Sequence, residues 1–176
     1  MDTGDILARL EKFEGRIRYM YRCTGGEVTV GIGHAIFSAA DAVQLKWEVG
    51  ADQAAAGFGA VAAEPKGHPA QHYEGLSTSR MNDAAIDALA AADIERFTKL
   101  LKDKLPQWDT FPAPAQAALF DMAYNLGIEG LLHKFPHMLN AVNRGDWETA
   151  ARECHRTGIQ EPRNQETAAL FRQAEG

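Results

Sequence analysis

Cysteine is scarce in this chain. Only Cys23 and Cys154 occur in 176 residues, far apart from one another. That spacing excludes a Cys-rich zinc module and a disulfide framework, and it predicts two free thiols in a reducing compartment. Basic residues are outnumbered, with 18 Lys and Arg against 24 Asp and Glu and a net charge of −6. A diffuse negative charge argues against nucleic acid as the main partner and against electrostatic docking on an anionic membrane. Long apolar runs are missing as well, and none reaches the ~18 residues that a membrane span needs. The acidic start Met1-Asp2-Thr3-Gly4-Asp5 lacks the apolar centre of a signal peptide. The expectation is synthesis in the cytoplasm without a signal peptide. The six His show no metal spacing, and His68 and His72 are a lone pair in a loop-like stretch, so neither metal nor cofactor is expected.

What remains is an ordinary globular composition, 45% hydrophobic and 24% charged. A chain this long buries about 70% of its surface without staples. Residues 5–13 have the spacing of a short amphipathic helix, with Ile6, Leu7, Leu10 and Phe13 on one face and Gly15 as its stop. The period then changes. Ile17, Tyr19 and Tyr21 alternate, Gly25-Gly26 makes a turn, and Val28, Val30 and Ile32 alternate, so 16–34 reads as a hairpin or small antiparallel sheet. Gly31 and Gly33 suggest a close approach or a bulge. No Lys-Ser or Lys-Thr follows them and no parallel βαβ unit surrounds them, so the pair is weak as a phosphate loop. Residues 35–80 carry many Gly and Pro; one or two short helices near 39–56 and then an exposed loop are expected.

From Asn82, a good N-cap, the pattern turns strongly helical through about residue 104. Helix-like segments follow at 115–126, 128–134, 136–144, 146–156 and 164–173, broken at Gly127, Pro136, Gly145 and the Gly158–Pro162 stretch. Asp146 is the N-cap after Gly145. The fold class is α+β in a single domain, 1–176. It comprises an N-terminal lobe of about 14–80, a connecting helix of about 82–104 and a helical lobe of about 113–176 with the first helix packed on it. Two lobes joined by one long helix would leave a ligand cleft.

Single residues say little. Glu14 ends the first helix, where the helix carbonyls disfavour a carboxylate anion, a setting that suits a general acid as well as a solvated helix end. Cys23 is an ordinary small thiol unless a cation lies beside it, and alternation turns Arg22 to the opposite face. Thr29 is unremarkable on a strand. Trp108, Phe120, Tyr124 and Trp147 fit a core better than a binding strip. Asp93 lies on the apolar face of the long helix and needs a partner there.

The combination is more specific. The string Glu14-Gly15-x5-Tyr21-Arg22-Cys23-x5-Thr29-Val30-Gly31-Ile32-Gly33-His34 resembles the phage-type lysozymes of glycoside hydrolase family 24, whose pattern is a glutamate, eight residues, Asp or Cys, five residues, Thr and a Gly-x-Gly-His. Asp121 to Gly127, Gly145 to Glu148 and Arg163-Asn164 are similar to later segments of that family. The resemblance covers 5–34 and 82–173 and leaves 36–80 unsupported. It implies a lysozyme-like fold and hydrolysis of the β-1,4 bond between N-acetylmuramic acid and N-acetylglucosamine in peptidoglycan. It implies Glu14 as general acid, Cys23 in place of the usual aspartate and Thr29 orienting water or sugar. Tyr124, Asn125 and Phe135 are implied at the substrate, with His34, Asp93 and Arg163 as structural support and a His34–Asp93 ion pair. The implied partner is the peptidoglycan glycan strand, met by a monomer acting on the cell wall after release or secretion by another route. Two alternatives stay open, a wall-binding module with little catalysis and a secreted antibacterial effector held by an inhibitor or immunity protein.

Overall fold

A computed structural model describes residues 1–175. Its helices are α1 (Thr3–Glu14), α2 (Ala39–Gln44), α3 (Ala51–Ala63), α4 (Asp83–Lys104), α5 (Ala113–Lys134), α6 (Pro136–Asn143), α7 (Trp147–Glu153) and α8 (Glu161–Gln173). Three strands, β1 (Ile17–Arg22), β2 (Val28–Gly31) and β3 (His34–Ile36), form one antiparallel sheet in the order β1-β2-β3. The fold is α+β, lysozyme-like and mostly helical, with its small sheet near the N-terminus. The chain divides into two compact units, Leu7–Asp93 and the union of Met1–Ile6 with Ile94–Gly176. Both dividing points fall inside helices, α1 and α4.

In the unit Leu7–Asp93 the expected hairpin forms, with Tyr21 opposite Thr29 and Arg22 opposite Val28. His34 does not end it. It opens a third strand, with Val30 opposite His34 and Val28 opposite Ile36. Gly31 and Gly33 reverse the chain between the strands at φ 68° and 79°, a region in which a Cβ is strained. They make a turn and not a bulge; the irregularity in pairing lies in β1, between Ile17 and Tyr21. The core of the unit gathers Met20, Val30, Ile32, Ile36, Val61, Tyr73 and Ile86. Arg16 binds Glu11 at 2.8 Å and Asp87 at 2.7 Å, tying the end of α1 to the first turns of α4. That hydrogen bond holds the Glu11 carboxyl below its usual range.

The 35–80 stretch is more ordered than expected. α3 extends to Ala63, and a 3-10 turn at Ala70–Leu76 replaces part of the loop. Tyr73 is the reason, because its ring is fully buried and its hydroxyl donates to the Pro65 carbonyl at 2.6 Å.

In the other unit α5 is interrupted at Gly127, with φ 72° and ψ 160°, where the break was expected. Asn82 and Asp146 cap as their sequence positions suggested, accepting from Ala85 N–H at 2.9 Å and Thr149 N–H at 3.0 Å. Two boundaries differ. α7 stops at Glu153 because the Arg156 N–H is taken by the Asn164 side chain at 3.2 Å. α8 starts at Glu161 because Pro162 sits in its first turn, where a missing N–H costs nothing. Ala118, Leu119, Phe120, Met122, Leu131, Met138 and Phe171 fill the core, and Trp108 and Trp147 are buried as expected.

Candidate functional site

Glu14 is the last residue of α1 and is half-buried. Gly15 follows at φ 75° and returns its N–H to the Glu11 carbonyl at 2.9 Å. This left-handed closure stops the helix and sends the chain into β1 directly after the carboxylate. Tyr21 lies near the end of that strand. Burial pushes its phenol well above the ordinary range, and the charges of Glu14 and then Cys23 add to the effect. Glu14 and Cys23 therefore both lie near Tyr21.

The hairpin turn sets what stands opposite Cys23. The Cys23 N–H donates to the Glu27 carbonyl at 3.0 Å, and the Gly26 N–H donates to the Cys23 carbonyl at 3.0 Å. Thr24-Gly25-Gly26 is thus a three-residue loop, with Gly26 at φ 106° supplying the left-handed step that such a loop requires. Side chains alternate along each strand and face each other across the pair. With Tyr21 opposite Thr29 and Cys23 opposite Glu27, all four side chains share one face.

On that face the Cys23 thiol donates to Glu27 Oε2 at 3.0 Å. This hydrogen bond, followed by one from backbone N–H, holds the Glu27 carboxyl below its usual range, with Lys66 and Arg22 adding attraction. A Cβ at Gly25 would run into the Glu27 carboxylate. Thr29 is buried and its hydroxyl donates to the Glu27 carbonyl at 3.3 Å. Arg22 lies on the opposite face, as alternation predicted. Its guanidinium donates to the carbonyl of Gly26 at 2.8 Å and to those of Ala62 and Glu64 at the end of α3. The neighbour of the thiol is therefore a carboxylate and not a cation.

Glu14, Cys23 and Thr29 thus belong to one corner of one unit. Sequence reasoning missed Tyr21 and Glu27 as members of it. The signal was available, since a three-residue Gly-Gly turn after Cys23 places residue 27 across from it. The corner pairs a carboxyl group at a helix end with a carboxylate, a thiol and a hydroxyl on a hairpin. That is equipment for moving protons at two points of a substrate.

His34 opens β3, and its Nδ1 lies 2.7 Å from Asp93 Oδ2, with side chains 19% and 5% exposed. The pair explains how α4 accommodates a carboxylate on its apolar face. In a double-mutant cycle, His34→Asn and Asp93→Asn are expected to couple by about 1.5–3 kcal/mol, the value of a charge-assisted hydrogen bond shielded from water. Denaturant unfolding of the four proteins measures it, and additive losses would mean the pair contributes nothing.

In the other unit, Tyr124 packs its ring against Phe97 at 5.1 Å and Phe120 at 5.9 Å, so it joins an aromatic cluster. Asn125 beside it has a buried Oδ1 with no hydrogen-bond partner. Phe135 is half-buried at the junction of α5 and α6. Arg163 donates from Nε to Asp121 Oδ1 at 3.0 Å, a supporting contact deep in the core. Cys154 is buried there, which pushes its thiol up to about 11.

Among the described residues no group of three or more His, Cys, Asp or Glu could hold a metal ion, and no helix is long and apolar enough to cross a membrane. His68 and His72 stack on each other at 4.1 Å. A cavity of about 710 Å³ opens elsewhere in the Leu7–Asp93 unit, lined by Arg16, Arg18, Tyr19, Glu74, Arg80 and Asp83 among others. Its arginines are engaged: Arg16 by Glu11 and Asp87, Arg18 by Asp83, and Arg80 by the carbonyls of Glu74, Ser77 and Ser79.

A curated relative, the pre-baseplate central spike protein Gp5 of Enterobacteria phage T4, is 31% identical over 143 residues. The match covers 80% of this chain and 22% of the relative, so the chain spans about a fifth of that protein's length. A family model described as phage lysozyme matches residues 11–174, a stretch that includes the whole Glu14–His34 motif. On a match of that extent, the chain belongs to the phage lysozyme family.

Proposed function

We propose that the chain is a muramidase, hydrolysing the β-1,4 bond between N-acetylmuramic acid and N-acetylglucosamine, with Glu14 as the general acid. The observation that carries this reading is the placement of Glu14. It is a half-buried carboxyl group at the carbonyl end of α1, beside a hairpin face that gathers Tyr21, Cys23 and Thr29. Cleaving a glycosidic bond requires a proton on the leaving oxygen and a second group across the sugar ring that activates water or stabilises the oxocarbenium charge. Glu14 supplies the first function and the hairpin face supplies the second. The Thr29 hydroxyl on this reading orients the water or the sugar. On this reading the partner is the glycan strand and the place of action is the cell wall.

The test is product analysis. Purified chain incubated with peptidoglycan is expected to release soluble fragments whose new reducing end is N-acetylmuramic acid, identified by borohydride reduction and mass spectrometry. N-acetylglucosamine reducing ends would assign the other glycosidic bond. Anhydro-sugar ends would assign a non-hydrolytic cleavage. No release at all would overturn the enzymatic reading in favour of a binding module.

A further inference from the structure

We propose that Glu27 is the second catalytic carboxylate of this site, taking the proton of the attacking water, and that the Cys23 thiol holds it in position. The proposal rests on the muramidase reading above and deepens it.

Position 23 carries a thiol where a carboxylate would serve. A neutral thiol neither accepts a proton from water readily nor opposes positive charge on the sugar. The carboxylate is present one hydrogen bond away. The three-residue turn forces Cys23 and Glu27 into opposition, and the strand alternation puts Glu27 on the face of Tyr21 and Thr29. Its Oε2 lies 3.0 Å from Cys23 Sγ, and the thiol is the donor. In that arrangement the negative charge of the pair resides on Glu27. Three further observations favour a placed group over a loose surface glutamate. Its backbone carbonyl accepts from the Thr29 hydroxyl. Gly25 leaves open the space that the carboxylate occupies, since a Cβ there would collide with it. Its carboxyl is also held ionised below the usual range, chiefly by the Cys23 thiol, with Lys66 and Arg22 the nearby cations. The side chain is exposed, so water reaches it.

The step balances. Water oxygen bonds to the anomeric carbon while one water proton passes to the Glu27 carboxylate. The bond from that carbon to the glycosidic oxygen breaks, and the leaving oxygen takes the proton of Glu14. Glu14 ends ionised and Glu27 protonated, and exchange with solvent restores both. Water arrives on the face opposite the leaving group, so the route inverts the anomeric centre. Cys23 is a positioning residue in this scheme.

Glu27→Gln keeps an acceptor for the thiol and removes the base. It is expected to lower kcat on peptidoglycan by about 10²-fold, at the lower end of general-base effects, with KM within about twofold of wild type. Adding Cys23→Asp to Glu27→Gln is expected to restore at least about tenfold of that loss by returning a carboxylate to the same face. NMR of the initial product is expected to show the inverted anomer. An active wild type whose Glu27→Gln variant keeps its kcat, or whose loss Cys23→Asp does not rescue, would overturn this proposal alone. Retention of configuration would do the same by assigning a covalent route in place of base catalysis by Glu27. A wild type that cleaves no peptidoglycan would instead overturn the muramidase reading, and this proposal with it.

Discussion

Glu14→Gln is expected to fold as the wild type does and to lose about 10⁴-fold in the rate of peptidoglycan cleavage, the upper end of general-acid effects. The argument starts from the leaving group. A sugar oxygen expelled as an alkoxide is a strong base, so a proton must arrive as the bond breaks. Glu14 ends α1, and the chain turns away at Gly15, which leaves its side chain beside the hairpin face of Tyr21, Cys23 and Thr29. Among these groups Glu14 is the carboxyl group that stands outside the hairpin, at the end of α1. Gln has the same shape and hydrogen-bonds similarly, but it has no proton to give. Gln carries no charge toward the carbonyl end of the helix, so stability should stay within about 1 kcal/mol of wild type. The measurement is the initial rate of reducing-end release, paired with denaturant unfolding of both proteins. Turnover close to wild type by a folded Glu14→Gln variant would remove Glu14 from the mechanism.

Several parts of this site and fold were legible in the sequence because they depend on neighbours along the chain. Alternation at Ile17, Tyr19 and Tyr21 and at Val28, Val30 and Ile32 marked the hairpin. Asn82, Asp146 and Gly127 marked a helix start, a second start and a break, each through a local backbone requirement. Features of three residues or of mixed period were less legible. β3 is too short to show alternation, and it was hidden behind the two glycines that create it. α3 is rich in Ala and Gly and presents no clear apolar stripe, so its end at Ala63 was missed. The Cys23–Glu27 contact required a register, and a register follows only when the turn length is read together with the strands. The His34–Asp93 pair was reachable, because a carboxylate on an apolar helix face demands a partner. The cluster around Asp121 was reached in part: the resemblance implied Arg163 as structural support but did not pair it with Asp121, because the members come from α5, the segment after α7 and α8. The residues themselves offered one clue, a charged side chain inside the apolar run Leu119-Phe120-Asp121-Met122-Ala123.

That cluster carries the largest expected effect on stability. Asp121 Oδ1 accepts from Arg163 Nε at 3.0 Å, while its Oδ2 accepts from the Thr167 hydroxyl at 3.0 Å and lies 2.9 Å from Arg156 Nη2. The side chains of Asp121 and Arg156 are each 1% exposed, and that of Arg163 is 5% exposed. Burial lowers Arg156 from its ordinary range, and Asp121 opposes that shift, so the carboxylate is what makes a cation tolerable there. Asp121→Ala would leave two guanidinium groups in the core without their shared anion. Such a loss is expected to cost about 3–5 kcal/mol, a large part of the roughly 5–15 kcal/mol that holds a typical domain folded. Replacing the whole triad with apolar side chains, as in Asp121→Leu, Arg156→Met and Arg163→Met together, removes the charges along with their desolvation cost. It should therefore be less destabilising than Asp121→Ala alone. Denaturant unfolding of the wild type, the single variant and the triple variant decides this. A loss under about 1 kcal/mol for Asp121→Ala would mean that water reaches the guanidinium groups once the carboxylate is gone. A triple variant worse than the single one would mean that the hydrogen bonds from Arg156 to Asn164 and Thr167, and not the charges, hold α8 against the segment after α7.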